Sequence, residues 1–233
     1  MILSQLKDGY KYNSDTLMLY GFICENLNPW FKGRVLDVGC GCGILGLLLK
    51  RDFSGMQLSL LDVQEINLDI SRKNAAENFL EIKTIMADFN TFKDGNKFEL
   101  IVSNPPFYHE GVKQSQNKHT AISRYASFLG LREFLYSANQ NLKSNAELIF
   151  CYDAICLNEI FTLLDEFKIK PICVKFVHSK EQSCANLVLI RAKKGSRSKC
   201  KILPPIILMK DGSYSKEANE IFKKADTKSK GYE

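Results

Sequence analysis

One stretch limits what this chain can fold into more than any other: Val35-Leu36-Asp37-Val38-Gly39-Cys40-Gly41-Cys42-Gly43-Ile44-Leu45-Gly46. An apolar run ends in closely spaced glycines and reopens as an apolar helical run, which reads as strand, tight turn and helix. Glycines let a ligand approach the backbone with no Cβ in the way. The amino end of a helix offers unpaired N–H groups. Gly41-x-Gly43-x-x-Gly46 also fits the dinucleotide fingerprint, so the glycines alone leave the ligand open. Asp37 narrows it. A carboxylate directly before the loop repels a pyrophosphate, but it can hold an ammonium group or orient the loop.

The flanking sequence repeats this alternation of short apolar runs and helical patterns, the signature of an α/β sheet. Strands are expected at Arg34–Val38, Gln57–Asp62, Ile82–Met86, Phe98–Ser103 and Glu147–Tyr152. Helices are expected at Gly43–Arg51, Glu65–Phe79, around Leu131–Leu142 and at Asn158–Phe167. Two late strands, Ile172–His178 and Asn186–Ala192, have a connection short enough for an antiparallel hairpin. Ser14 or Asp15 is expected to cap a helix over Thr16–Leu27. Residues 108–128 lack periodicity, and long irregular loops in compact domains are usually functional. After Leu203-Pro204-Pro205, Lys210-Asp211-Gly212 reads as a turn in a small tail.

Asp37, Asp62 and Asp88 each fall at or just past the carboxyl end of an expected strand. In an open α/β sheet those ends line the ligand crevice. Asp62 can accept hydrogen bonds from ribose hydroxyls, and Asp88 from an exocyclic adenine amine. Phe89 beside it offers a flat apolar face. With Gly39, Cys40 and Gly41, these make the expected cofactor set.

The chain of 233 residues suits one domain, with residues 1–30 on the cofactor and substrate side and residues 202–233 as a short extension. No apolar run nears the ~20 residues of a membrane helix. Charge comes too early for a signal peptide, so a cytoplasmic protein without membrane association is expected. The eight cysteines include no C-x-x-C pair, and the three histidines are widely spaced. Reduced thiols and no metal site are expected. The net charge of +6 is concentrated: Arg191, Lys193, Lys194, Arg197, Lys199 and Lys201 lie in one stretch without an acid, and the rest is neutral. Such a cluster suits a polyanion partner or a solvated loop.

Leu100-Ile101-Val102-Ser103-Asn104-Pro105-Pro106-Phe107-Tyr108 ends the fourth strand beside the crevice. Here the sequence resembles the class I S-adenosylmethionine-dependent methyltransferases that act on amide or amine nitrogen, whose signature is Asn/Asp-Pro-Pro-Phe/Tyr. The resemblance implies a Rossmann-like, seven-stranded, mostly parallel sheet with a C-terminal antiparallel hairpin, and S-adenosyl-L-methionine as cofactor. Asn104, Pro105, Pro106 and Phe107 are then the catalytic residues. A conjugated amine is a poor nucleophile; acceptors at the Asn104 side chain and the Pro105 carbonyl pull it towards tetrahedral geometry. Proline rings hold those acceptors in place, and Phe107 can stack on a flat base. A base in a helix must first be flipped out.

The resemblance extends over nearly the whole chain to the bacterial tRNA1(Val) adenine-N6 methyltransferase family. Gly9-Tyr10-Lys11-Tyr12-Asn13-Ser14-Asp15 looks like its Gly-Tyr-Arg-Phe-Ser-x-Asp opening. Phe176–Gly195 looks like its last two strands and basic turn, and Leu203–Ser215 like its closing segment. The family's Ala-Arg-His-Glu stretch appears as Ser123-Arg124-Tyr125-Ala126. The resemblance implies methylation of an adenosine N6 next to the anticodon of a tRNA, with no obligatory protein partner. Phe107, Tyr108, Arg124, Lys193, Lys194 and Arg197 are the expected substrate contacts. A protein-glutamine methyltransferase would carry a helical domain ahead of the glycine loop, and a DNA adenine methyltransferase a large recognition domain after it. An oxidoreductase leaves Asn104-Pro105-Pro106-Phe107 unexplained, and an inert RNA-binding protein leaves the cofactor residues unexplained.

Overall fold

The computed structural model describes residues 1–6, 13–105 and 129–232. Strands β2 (Gly33–Val38), β3 (Met56–Asp62), β4 (Lys83–Met86), β5 (Phe98–Ser103) and β6 (Leu142–Asp153) form a parallel set. β8 (Ala185–Lys194) runs antiparallel to β6 and to β7 (Ile169–Lys180). The late hairpin is therefore present.

With β9 (Lys201–Ile202), β10 (Ile206–Lys210) and β11 (Ser213–Tyr214), the central sheet has ten strands among the described residues, in the order β11-β10-β7-β8-β6-β5-β2-β3-β4, with β9 also paired to β7. Seven of these are the expected ones. The other three, β9, β10 and β11, follow the hairpin. The expected turn joins the last two, with Asp211 and Gly212 both at positive φ.

β2 has β3 on one side and β5 on the other, so the chain reverses its direction of winding at β2. That reversal opens a crevice past the carboxyl ends of β2 and β5. Ser103 Oγ donates to the Val38 carbonyl at 2.8 Å and ties these two ends together.

Alternation along the strands sends side chains into two cores. Val35, Leu58, Leu60, Leu100, Val102, Ile149 and Cys151 face one. It is covered by α1 (Ser14–Asn26), α2 (Ile44–Asp52), α3 (Glu65–Glu77) and α6 (Lys216–Ala225). Leu36, Val38, Leu61, Ile101, Leu148 and Phe150 face the other, under α4 (Leu131–Asn141) and α5 (Leu157–Glu166). Six successive residues, Ile44–Leu49, are buried in α2, which explains its run of apolar residues.

Besides β9, β10 and β11, the strands β1 (Ile2–Leu6) and β12 (Lys228–Tyr232) and the helix α6 were not expected. β1 pairs in parallel with β12 as a separate two-stranded sheet. β1 is held on α3 by asparagines: Ser4 N–H donates to Asn74 Oδ1 at 2.7 Å, and Asn78 Nδ2 to the Ile2 carbonyl at 2.8 Å. The cap of α1 also differs from expectation. Asn13, one residue earlier, accepts the N–H groups of Asp15 and Thr16. Its short amide side chain satisfies two of the four donors left over at a helix start.

Candidate active site

The glycine loop turns left-handed at Gly39 (φ 66°) and Gly41 (φ 54°), where residues with a Cβ are strained. Among the described residues, a Cβ at either would meet nothing within 4 Å, so the described part of the chain leaves open space on that side. Underneath it is packed tightly. A Cβ on Gly46 would stand 2.6 Å from Leu60 Cδ2 and 3.0 Å from Asp37 Oδ2, which only glycine permits.

Five of the loop's backbone donors are spent within the chain. Gly39 and Cys40 N–H groups donate to the Leu61 carbonyl at 2.9 and 3.0 Å. Gly41 N–H donates to Asp62 Oδ2 at 3.0 Å, Gly43 N–H to the Cys40 carbonyl, and Gly46 N–H to Asp37 Oδ2 at 2.9 Å. At the helix amino end, where unpaired N–H groups were expected, that of Gly46 is taken by Asp37. On the acceptor side, Ser71 Oγ donates to the Gly41 carbonyl at 2.9 Å, and Asn74 Nδ2 to the Cys42 carbonyl at 2.9 Å. Asn74 thus joins the loop to β1.

Asp37 is 2% exposed, and it orients the loop. Gly43 caps α2 without a side chain, and the Asp37 carboxylate supplies the missing acceptor. Burial pushes its carboxyl up to about 7; the Gly46 N–H opposes the shift and the nearby Asp62 charge adds to it. Cys40 is also buried, its thiol turned towards Ser71 at 3.9 Å, so its backbone is the part that borders the loop.

Asp62 ends β3 and is 6% exposed. Its Oδ1 accepts the Gln64 N–H at 2.9 Å and Asn67 Nδ2 at 3.1 Å. Asp88 follows β4 and is exposed, its Oδ1 accepting the Asn90 N–H at 2.9 Å. Phe89 corrects an expectation. It is 2% exposed and packs on Phe134 with ring centroids 6.0 Å apart. Its large apolar area is buried under α4, so it anchors the turn that carries Asp88 and presents no free face.

Asn104 is half-buried just past β5, followed by buried Pro105. Its Nδ2 donates to Thr16 Oγ1 at 2.9 Å, and its Oδ1 accepts the Cys151 thiol at 3.0 Å. Neither Thr16 nor Cys151 was expected at the site. Cys151 is a buried free thiol placed opposite Asn104. Pro106, Phe107, Tyr108 and Arg124 lie outside the described residues.

Register brings the rest together. Val38 is level with Leu61 and with Ser103, and Asp62 with Met86. The glycine loop, Asp62, Asp88 and Asn104 therefore share one edge of the sheet. They span three strand spacings of ~4.8 Å, roughly 15 Å in all.

The basic stretch does not join them. Lys193 is level with Glu147, which is level with Leu100, four residues before Asn104. That offset is about 13 Å at ~3.3 Å per residue, and Lys201, in β9 beside β7, is set apart across the sheet. Lys194 is engaged internally, donating to the Asn139 carbonyl at 2.6 Å and the Leu142 carbonyl at 3.3 Å. Arg191 pairs with Glu147 through two hydrogen bonds of 2.8 Å. Lys193 is partly exposed, and Arg197, Lys199 and Lys201 are exposed. Among the described residues no helix is long and apolar enough to cross a membrane.

Residues 20–159, more than half of the chain, match the family model of the methyltransferase small domain. The chain belongs to the methyltransferase small domain family. The match runs from α1 through the glycine loop and Asn104 into α5, and so takes in the whole edge described above. The chain is 34% identical over 118 residues to ribosomal RNA small subunit methyltransferase C of Actinobacillus pleuropneumoniae serotype 7 (50% of this chain, 31% of that protein). It is 41% identical over 90 residues to the protein of the same name from Pasteurella multocida (39% of this chain, 27% of that protein). These matches span about a third of the length of those relatives.

Solved structures show the same fold. A predicted O-methyltransferase from Agrobacterium tumefaciens has a TM-score of 0.69 at 16% identity, over 93% of this chain and 99% of that one. The 16S rRNA N2 G1207 methyltransferase of T. thermophilus, in complex with AdoMet and guanosine, has a TM-score of 0.59 at 20% identity. That match covers 81% of this chain and 45% of the other. The fold is the Rossmann-like methyltransferase α/β sheet.

Proposed function

We propose that this family member is an S-adenosylmethionine-dependent RNA methyltransferase, and that its target is the exocyclic N6 amine of an adenosine in tRNA. The observation that carries the reading is the placement of Asn104 one strand from the glycine loop, on the edge that also holds Asp62 and Asp88. A cofactor and an amine substrate can meet there.

The residues fit the cofactor. The open space over Gly39 and Gly41 admits a ligand against the backbone. The loop's engaged N–H groups and the two acids beneath it disfavour a pyrophosphate and suit a group bound through acceptors. Asp62 would take the ribose hydroxyls and Asp88 the adenine amine. When bound, S-adenosylmethionine supplies an electrophilic methyl group at its sulfonium.

Asn104 and Pro105 act on the substrate side. A carboxamide oxygen has two lone pairs. One receives the Cys151 thiol; the other accepts a hydrogen of the incoming amine, with the Pro105 carbonyl taking the second hydrogen. Drawing both hydrogens aside frees the nitrogen lone pair for attack. This positioning chemistry calls for no metal. Arg197 and Lys193, on the far edge, would hold RNA phosphates.

A second reading replaces the target by the guanine N2 amine in 16S rRNA. The printed names of the relatives and of the guanosine-bound neighbour favour it. Both targets are conjugated exocyclic amines and make the same demands on Asn104. The test incubates the protein with labelled S-adenosylmethionine and, separately, tRNA, 16S rRNA, DNA and bulk cell protein, then locates the label and identifies methylated nucleosides by mass spectrometry. N6-methyladenosine in tRNA is the expected product. N2-methylguanosine in rRNA selects the second reading, and label found only in protein or DNA overturns both.

A further inference from the structure

We propose that Thr16 and Cys151 are positioning residues for methyl transfer, clamping the Asn104 side chain in one of its two amide orientations. The inference rests on the reading of Asn104 as the acceptor of the substrate amine.

An asparagine amide has an oxygen and a nitrogen of nearly equal size, related by a half-turn of its end group. Only the oxygen accepts a hydrogen from an amine; the NH2 group would face it donor to donor. A carboxamide that acts on an amine therefore needs something to choose its orientation. Asn104 has a partner on each side. Nδ2 donates to Thr16 Oγ1 at 2.9 Å, and Oδ1 accepts from Cys151 Sγ at 3.0 Å.

The two partners do different work. A hydroxyl both donates and accepts, so Thr16 holds the group in place with little preference for direction. A thiol donates, and its sulfur is a weak acceptor. Turning the amide over would exchange an S–H···O bond for a poor N–H···S contact, so Cys151 sets the direction. Cys151 is fully buried, and burial together with the nearby Asp15 charge keeps it a protonated donor.

The clamp joins three elements. Thr16 is buried in the first turn of α1, which Asn13 fixes by accepting its N–H. Cys151 lies in β6, next to β5. The partners stand 88 and 47 residues from Asn104 in sequence.

The test uses Thr16→Val, Thr16→Ser, Cys151→Ala and Cys151→Ser in the full chain. Single-turnover transfer to bulk bacterial RNA is measured at saturating labelled cofactor, and S-adenosylhomocysteine affinity by calorimetry. Thr16→Val and Cys151→Ala should each slow transfer by roughly tenfold or more, the scale of one lost hydrogen bond. RNA half-saturation and S-adenosylhomocysteine affinity should stay within about twofold. Thr16→Ser, which keeps the hydroxyl, should recover most of the rate, whereas Cys151→Ser, which supplies a donor but also an acceptor for the turned-over amide, should fall between Cys151→Ala and wild type. The second readout is the Asn104 side-chain NH2 pair in 15N-resolved NMR, assigned by its absence in Asn104→Ala. It should move in Thr16→Val and Cys151→Ala with neither RNA nor cofactor present. Normal rates with an unmoved amide pair overturn the clamp, and so does a slowed rate that tracks lost S-adenosylhomocysteine affinity. Normal methylation by Asn104→Ala would instead remove Asn104 from the reaction, while the NMR readout would still report whether the clamp exists.

Discussion

Asp62 Oδ2 accepts the backbone N–H of Gly41 at 3.0 Å, so the acid at the end of β3 holds the glycine loop that follows β2. One carboxylate therefore shapes the loop and faces the proposed ribose site. Removing it should affect both.

For Asp62→Ala we expect weaker S-adenosylhomocysteine binding by roughly 10- to 100-fold, from loss of charged hydrogen bonds worth ~1.5–3 kcal/mol. Asp62→Asn keeps the size and an acceptor oxygen, and should fall between. Calorimetry is the measurement. Unchanged affinity in the alanine variant would take Asp62 out of the cofactor site.

Asp37 makes stability depend on pH. Its buried carboxyl titrates near 7 in the folded chain, against an ordinary value of 3.8. Between those values the folded state holds a proton that the unfolded chain has released. Stability is therefore greatest below the unfolded value and declines as pH rises towards 7, by at most ~1.4 kcal/mol per unit. Asp37→Asn keeps an acceptor for Gly46 and cannot ionise, so its stability should be flatter from pH 5 to pH 8. Urea unfolding of both proteins at those two values decides the matter. Parallel changes in the two proteins would count against Asp37.

Asn104→Ala should bind S-adenosylhomocysteine like wild type and lose methyl transfer by on the order of 100-fold or more, as for other groups that act only in the transition state. Single-turnover kinetics at saturating cofactor give the rate. A near-normal rate would end the amine-acceptor role.

The basic stretch divides into residues that build the fold and residues left for a partner. Lys194→Ala strips two backbone carbonyls of their donor and should cost about 1–2 kcal/mol in unfolding free energy. Lys193→Ala with Arg197→Ala should leave stability unchanged, weaken RNA binding and flatten its salt dependence by roughly 0.7–0.9 per lost phosphate contact. Filter binding from low to moderate salt gives the slope. If the double variant keeps the wild-type slope, these residues do not touch RNA.

Seven of the ten central strands, and the edge that holds the proposed site, are legible in local sequence. Alternating apolar runs at Arg34–Val38 and Phe98–Ser103 name strands because side chains in a strand alternate between faces. Glycines and acids at the strand ends name the crevice because backbone approach requires them there. These signals are local, each contained in a dozen residues. Tertiary structure decided the remainder. Ile2–Leu6 and Lys228–Tyr232 are strands only because they pair with each other across more than two hundred residues. Phe89 looked like a ligand-facing ring until α4 covered it, and Lys194 like an RNA contact until two carbonyls claimed it. Cys151 and Thr16 belong to no local motif. They meet Asn104 because β6 lies beside β5 and α1 packs over that face, and hydrogen-bond partners are chosen by distance in space, which spacing along the chain does not record.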